Sequence, residues 1–380
     1  MKGLRGFWLR VHRWLALSAG WVLIFSGLSG AVLVVAPKLD RWAHPELFQA
    51  QTHSVAGQSP VSLESVQRVV RQEFGPAANL VLRPPRNPDE TLEVRVRGKW
   101  RGTVYLDPAT GAEQGRRGEA EGFVNILFKL HSALWLDGTG KAALAWVALA
   151  YLLMLITGLI LWWPRHWARG WNIALDKGLL RALFDLHRVG GAMLGLLIAV
   201  SVATGAYMAW RPLNAAVTWI SGATPVKAPK LPAAFTASGS TATLDELANK
   251  AAAQFPDPGF IGYVVLPPNA GAPIRFRFRL PDDPHPNGMT SVWIDPRSAD
   301  VLSVQRWDAL DPGAKAVAVV YPLHTGELGG PLLETAVALG GLTLGGLGIS
   351  GVWLWWRRRS IRMAAEQKRR LPTGRQRSNT

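Results

Sequence analysis

Four of the eight histidines stand where a metal centre could use them. His12 and His187 each lie two residues ahead of a long charge-free run. His131 and His324 each lie ten residues before a charged residue, Lys141 or Glu334, that opens another such run. The matched places set up two couples, His12 with His187 and His131 with His324, each at one depth. Neutral imidazoles from different helices meeting at one height are what a metal centre or haem between helices needs. The chain has no cysteine, which excludes disulfides, zinc–thiolate sites, iron–sulfur clusters and thioether-attached c-type haem. No dense Asp/Glu cluster accompanies the histidines, so imidazole is the one good ligand type on offer. Two imidazoles per level suit the axial positions of a six-coordinate haem iron, an arrangement for electron transfer rather than oxygen binding. Zinc or copper wants three or four ligands converging at one depth. The plainer account is that each histidine caps or anchors a helix at the membrane surface. His166 is a spare ligand on the side of His12, while His44, His53 and His285 lie in loops and read as solvent-facing. Arg13 and Arg188 could pair with haem propionates or simply flank the spans.

The elements that must position these side chains are apolar. Hydrophobic residues make up 48% of the 380-residue chain and charged residues 18%, a deficit that points to a membrane and away from disorder. Trp14–Pro37, Ala142–Pro164, Val189–Trp210 and Thr335–Trp356 contain no Asp, Glu, Lys or Arg. Each exceeds the roughly 20 residues that a helix needs to cross the hydrocarbon. The first is too long for a signal-peptide core and reads as an uncleaved span.

The formal charge of +16 is unevenly spread. Residues 40–140 and 211–331 are each neutral. The excess flanks one side of the spans, at Lys2, Arg5, Arg10 and Arg13, at Arg165, Arg169, Lys177, Arg181 and Arg188, and at Arg357, Arg358, Arg359, Arg362 and Lys368–Arg370. The positive-inside rule puts both termini and the middle loop in the cytoplasm and the two neutral segments outside. The basic balance is a topology signal and not a nucleic-acid footprint. Trp8, Trp14, Trp162, Trp163, Trp167, Trp171, Trp353, Trp355 and Trp356 crowd the same boundary, where amphipathic rings sit at headgroup level.

The chain also repeats itself. His12-Arg13 followed by Ser29-Gly30-Ala31 recurs as His187-Arg188 followed by Thr204-Gly205-Ala206. Leu130-His131-Ser132 recurs as Leu323-His324-Thr325, and Leu161-Trp162-Trp163 as Leu354-Trp355-Trp356. Each half is a span going out, an outside domain and a span returning, which makes a parallel repeat about an axis along the membrane normal. The domain order follows: a first span within 1–39, an outside domain over 40–140, a second span over 141–165 and a cytoplasmic loop over 166–186. A third span over 187–211, a second outside domain over 212–331, a fourth span over 332–357 and a basic tail over 358–380 complete it.

Each outside domain predicts an amphipathic helix, Leu63–Phe74 or Leu244–Phe255, and an alternating strand, Leu92–Arg97 or Ile274–Arg279. Each then closes a strand on an Asp-Pro turn, Tyr105-Leu106-Asp107-Pro108 or Trp293-Ile294-Asp295-Pro296. The strand arginines read as a solvated face or an anion-binding one. Pro-, Ala-, Ser- and Thr-rich linkers, Gln49–Pro60 and Gly222–Thr243, separate modules from spans. Asp137-Gly138-Thr139-Gly140 and Gly326–Pro331 let the chain bend, so that Phe123–Trp135 can lie along the membrane surface with His131 near it. Gly346-Leu347-Gly348-Ile349-Ser350-Gly351 matches a dinucleotide fingerprint, but it sits within a span with no strand before it and reads as close helix packing.

Val11-His12-Arg13-Trp14, Leu130-His131-Ser132, Leu161-Trp162-Trp163-Pro164-Arg165, Leu186-His187-Arg188 and Leu323-His324-Thr325 carry a family resemblance. Over Arg10–Arg359 the chain resembles PepSY-associated transmembrane proteins of the iron-regulated inner-membrane type, specifically bacterial ferrisiderophore reductases of the ferrioxamine class. The fourth span ends in Trp355-Trp356-Arg357, without the proline of the second. The resemblance implies four transmembrane helices in two parallel repeats, each with an α+β, PepSY-like module outside the inner (cytoplasmic) membrane. It further implies two haem b groups, one held by His12 and His187 and one by His131 and His324. The implied reaction carries electrons from a quinol or a cytosolic reductase to a ferric siderophore, releasing Fe(II). The partners are then the lipid bilayer, the electron donor and the siderophore, with no nucleic acid. A different class stays open, a non-redox sensor or peptidase regulator in which the spans only anchor the outer modules. A transporter fits less well, because the spans hold no midplane charge.

Overall fold

The structure, a computed structural model, describes residues 2–52, 60–164, 166–224, 227–232, 242–269 and 271–370. His53, Arg165, the last ten residues of the basic tail and much of both linkers lie outside the described residues.

In chain order, α1 (Lys2–Ala43) is followed by the short α2 (Pro45–Phe48), α3 (Leu63–Phe74), and strands β1 (Asn79–Arg83), β2 (Leu92–Arg97), β3 (Arg101–Leu106) and β4 (Glu113–Gly118). Then come α4 (Phe123–Ala133), α5 (Asp137–Trp162), α6 (Trp167–Gly170), α7 (Leu179–Ala209) and α8 (Arg211–Ile220). The second half continues with α9 (Leu244–Ala252), β5 (Phe260–Leu266), β6 (Ile274–Arg279), β7 (Thr290–Ile294) and β8 (Val301–Gln305). It closes with α10 (Pro312–Ala318), α11 (Val320–Thr325) and α12 (Gly330–Arg370). Four helical stretches, Gly3–Ala43, Asp137–Trp162, Leu179–Ala209 and Glu327–Gln367, are long and apolar enough to cross a membrane.

These four form a bundle in which α1 and α7 each pack against both α5 and α12, so α1 and α7 stand at opposite corners. The α1–α12 seam is made of glycine. A Cβ on Gly27 would stand 2.7 Å from the Gly341 carbonyl oxygen, and one on Gly341 2.6 Å from that of Gly27. In lipid, where apolar surface gains nothing by leaving water, such close backbone approach supplies the packing. The dinucleotide-like glycines serve the same end, Gly348 facing Ile24 and Gly351 facing His187.

At one end of the bundle sits a single eight-stranded antiparallel sheet, ordered β4-β3-β2-β1-β5-β6-β7-β8. Period-two alternation builds it: Leu92, Val94 and Val96 of β2 and Ile274, Phe276 and Phe278 of β6 point into one core, with charged residues between them. α3 and α9 cover that core with Val66, Val70, Leu244, Leu247 and Ala251. The two helices cap each other: Asp245 accepts from the backbone N–H groups of Leu63 (2.8 Å) and Glu64 (3.1 Å), and Glu64 accepts from that of Leu244 (2.9 Å). Each acid thereby satisfies orphan donors of the other helix. The two sequence modules are thus joined twice, through these caps and through β1–β5 pairing at Leu80↔Leu266 and Leu82↔Val264.

The opposite face of the sheet looks onto the bundle. Arg117 of β4 pairs with Asp40 of α1 at 2.7 Å, Arg41 of α1 reaches Glu93 of β2 at 3.6 Å, and His285 stacks on Tyr321 of α11 at 5.8 Å. At the other end, Trp162 meets Trp167 and Trp171, and Arg357 and Arg359 lie over Trp353 and Trp355.

The bend below the first module falls earlier than the glycines suggest. α4 ends at Ala133, the chain turns through Leu134 and Trp135 at positive φ, and Asp137 opens α5. Gly140 is needed for closeness instead, since a Cβ there would stand 1.7 Å from the Ala133 carbonyl oxygen. In the second half the turn does lie at Gly326 and Gly330, both at positive φ.

Candidate haem-ligand site

His12 near the start of α1 and His187 in the third turn of α7 meet across the bundle, with ring centroids 6.5 Å apart and planes at 90°. His131 on α4 and His324 on α11 meet at the sheet end, with centroids 6.3 Å apart and planes at 42°. All four rings are half-buried. The levels are well separated. Gly30, which supports His131, lies eighteen residues beyond His12 on α1, about 27 Å of helix.

Every ring is held in the same way. Nδ1 of His12 sits 2.9 Å from Thr157 Oγ1, Nδ1 of His131 3.0 Å from Ser29 Oγ, Nδ1 of His187 3.1 Å from Ser350 Oγ, and Nδ1 of His324 3.1 Å from Thr204 Oγ1. Each hydroxyl already donates its one proton to a carbonyl of its own helix, that of Met154, Phe25, Leu347 or Val200. A hydroxyl so used has only lone pairs left for the ring, so Nδ1–H donates. Two backbone carbonyls agree, because a carbonyl can only accept: Met154 lies 3.2 Å from Nδ1 of His12 and Ser201 2.9 Å from Nδ1 of His324. The proton is therefore on Nδ1, and the Nε2 lone pair is free. Among the described residues Nε2 of none of the four has a hydrogen-bond partner.

The residue after each hydroxyl is glycine, and the ring lies on it. A Cβ would stand 3.4 Å from Cε1 of His12 at Gly158, 3.0 Å from that of His131 at Gly30, 3.2 Å from that of His187 at Gly351 and 2.9 Å from that of His324 at Gly205. The seat is a Ser/Thr-Gly pair on a neighbouring helix, where the hydroxyl orients the ring and the missing side chain lets it lie flat. Second-shell hydrogen bonding of this kind fixes the tautomer and raises ligand basicity.

These residues fit a haem. An imidazole nitrogen binds a metal at about 2.0 Å, so two rings on opposite faces of one iron have centroids about 6 Å apart. Both pairs meet that spacing with the correct nitrogen free. Among the described residues no three His, Asp or Glu side chains converge as a bare metal centre requires.

The remaining candidates fall outside this arrangement. His166 is exposed at the start of α6, and His44 lies among Asp40 and Glu46. Arg188 is engaged by Asp185 (3.3 Å) and the Asn172 carbonyl (2.8 Å). His285 is a correction: its loop folds under the sheet and leaves it 5% exposed, with Nδ1 accepting from the Asn287 N–H. Burial, with Arg277, Arg86 and Arg279 nearby, brings its pKa down to about 4.

Ser29-Gly30 and Thr204-Gly205 enter the sequence reading only as repeat markers, Ser350-Gly351 only as the end of the dinucleotide-like glycine run, and Thr157-Gly158 not at all. The signal was present, a hydroxyl residue followed by glycine within each of the four apolar runs.

A family model described as the PepSY-associated TM region matches residues 9–358, and the chain belongs to that family. No curated protein matches the chain.

Proposed function

As a PepSY-associated membrane protein with two facing imidazole pairs, the chain is, we propose, a dihaem b-type reductase of the bacterial inner membrane that delivers electrons to a ferric siderophore on the outer side. The observation that carries this reading is the repeated seat: four histidines, each with Nδ1 against a Ser or Thr hydroxyl and no hydrogen-bond partner at Nε2 among the described residues, stand in two pairs with ring centroids 6.3 to 6.5 Å apart. A merely anchoring histidine needs neither the glycine seat nor the partner. Bound haem would supply one-electron ferric–ferrous exchange at each level.

What the chain's own residues contribute is position. Thr157, Ser29, Ser350 and Thr204 hold the rings, and the helices fix the two levels about one hydrocarbon thickness apart. No nucleophile or general base is required. One electron passes from a quinol or cytosolic reductase to Fe(III), and Fe(II), bound far less tightly by hard oxygen donors, is released.

The orientation rests on the basic excess, with both termini and the loop after α5 cytoplasmic and the sheet in the periplasm. Two halves related by a parallel repeat account for the mirrored strand order about β1–β5 and for the matched histidine seats.

The deciding measurement is the visible absorption of detergent-solubilised protein expressed with haem supplied. A Soret band, α and β bands that sharpen on dithionite, and two haems per chain are expected. A colourless, folded protein would remove the redox reading and leave a membrane-tethered sheet domain.

A further inference from the structure

The face of the sheet turned toward the bundle is charged differently in its two halves. On the β1–β4 side three of the cations are paired, Glu93 taking Arg83 (2.7 Å) and Arg41 (3.6 Å) and Asp40 taking Arg117 (2.7 Å), and the remaining Arg95 and Arg97 of β2 are exposed. On the β5–β8 side Arg275 and Arg277 of β6 alternate with the core residues Phe276 and Phe278 and share that inner face. Neither has a carboxylate within ion-pair distance among the described residues. Arg275 donates to Ser291 Oγ, from Nε at 3.0 Å and from Nη2 at 2.7 Å. Arg277 donates to the Gly288 carbonyl and to Met289 Sδ. Asp283, an acid near Arg277, spends its oxygens on the N–H groups of His285, Met289 and Thr290.

A second observation points the same way. Trp293 pairs with Arg275 across β6–β7, its ring lies 5.1 Å under that guanidinium, and it is 9% exposed. Its Nε1–H has no hydrogen-bond partner. A buried donor beside an unpaired cation costs free energy unless an acceptor arrives. Burial and the neighbouring Arg277 bring Arg275 down to about 10, still fully charged at neutral pH. The place suits a substrate: His285 of this half stacks on Tyr321, one turn before His324 on α11.

We infer that Arg275, Arg277 and Trp293 form a binding site for the carboxylate arm of an anionic ferric chelate, on the face of the sheet turned toward the bundle. The substrate class rests on the reductase reading above, whereas the anion site does not. The Nη1 groups of the two guanidiniums, which have no partner among the described residues, and the indole N–H can donate to a carboxylate's lone pairs. A cationic chelate would find the face repulsive.

The test uses the full chain in phosphatidylcholine nanodiscs, titrated calorimetrically with gallium(III) citrate, an anionic chelate that is not reduced, and with gallium(III) desferrioxamine B, a cationic one. Gallium citrate should bind, with affinity falling about 10- to 100-fold in Arg275→Gln and Arg277→Gln. Trp293→Phe, which keeps the ring volume, should weaken it several-fold, and Arg275→Lys should lose less than Arg275→Gln. The cationic chelate should bind more weakly than citrate and be indifferent to all four changes. Unaltered citrate binding by Arg275→Gln and Arg277→Gln with an unaltered thermal midpoint would overturn the site. So would a wild-type titration abolished by doping the discs with phosphatidylglycerol, which would identify the occupant as a lipid headgroup. Gallium is redox-silent, so the two readings separate. Arginine-dependent binding by a pigment-free protein keeps the site and removes the reductase, and a haem-loaded protein blind to citrate does the reverse.

Discussion

Gly205 lies so close under His324 that a Cβ added to it would stand 2.9 Å from the ring's Cε1. Alanine in a helix interior ordinarily stabilises by about 1 kcal/mol relative to glycine. Here the methyl group must push the ring off its seat. Gly205→Ala and Gly30→Ala should therefore lower haem content from two toward one per chain by pyridine haemochrome assay, with helix content unchanged by circular dichroism. Gly346→Ala, whose added Cβ meets nothing, is the matched control and should keep both. Full retention of two haems by Gly205→Ala would count against the seat.

The two levels should also empty independently. His131→Ala or His324→Ala should remove the haem at the sheet end and leave the spectrum of the other largely intact, because His12 and His187 are held by α5 and α12 through Thr157 and Ser350. Equal loss of both pigments from a protein that still folds would contradict the pairing.

Orientation can be read directly, since the chain has no cysteine of its own. Lys99→Cys, in the β2–β3 turn, should react with an impermeant maleimide added to spheroplasts. Ser360→Cys, on the exposed tail end of α12, should react only after permeabilisation. The opposite pattern would invert the proposed direction of electron flow.

His285 makes the sheet domain acid-sensitive. Its pKa is about 4 in the folded chain against 6.5 when free, so the unfolded chain takes up the proton first as pH falls. Stability is full above pH 6.5 and declines between 6.5 and 4, by a few kcal/mol at most. Protonation of Nδ1 would also cancel the bond it accepts from the Asn287 N–H. Denaturant midpoints at pH 7.5 and 4.5 should differ more in the wild type than in His285→Asn, which offers an acceptor and cannot titrate. Equal pH sensitivity would place the acid response elsewhere.

Asp185 is wholly buried at the start of α7 and accepts from Arg181 (2.7 Å) and the Ala174 N–H (3.3 Å) while facing Arg188 at 3.3 Å. It ties the loop after α6 to the helix that carries His187. Removing it frees the Ala174 N–H and leaves Arg181, 52% exposed, and Arg188, 23% exposed, without their carboxylate, a cost that solvent screening of the two cations reduces. Asp185→Ala should lower the thermal midpoint in detergent, whereas an unchanged midpoint would show the latch to be dispensable.

The parts of the fold written in local pattern were legible in the sequence. The four spans announce themselves by the absence of charge, and β2 and β6 by strict alternation at Leu92–Arg97 and Ile274–Arg279. What was not legible is pairing at a distance. Nothing in Leu80 or Val264 specifies that β1 will join β5, because alternating apolar residues suit any antiparallel neighbour. The burial of His285 was hidden for the same reason, since a loop does not declare what will cover it. The Ser/Thr-Gly seats were hidden differently. They are two common residues whose meaning appears only when a histidine from another helix comes to rest on them.

The β1–β5 junction has a consequence for how the protein is made. Between Arg83 and Phe260 some 180 residues must emerge, about 10 to 40 seconds of synthesis, before β1 finds the neighbour that covers its open side. Throughout that interval the first four strands present a bare backbone ladder to other unfinished chains, the kind of surface that recruits stray strands. The reciprocal caps of Asp245 and Glu64 arrive equally late. Stalled or truncated chains should accordingly be sticky rather than simply half-active, and completion of the second half is the step that makes the first one safe.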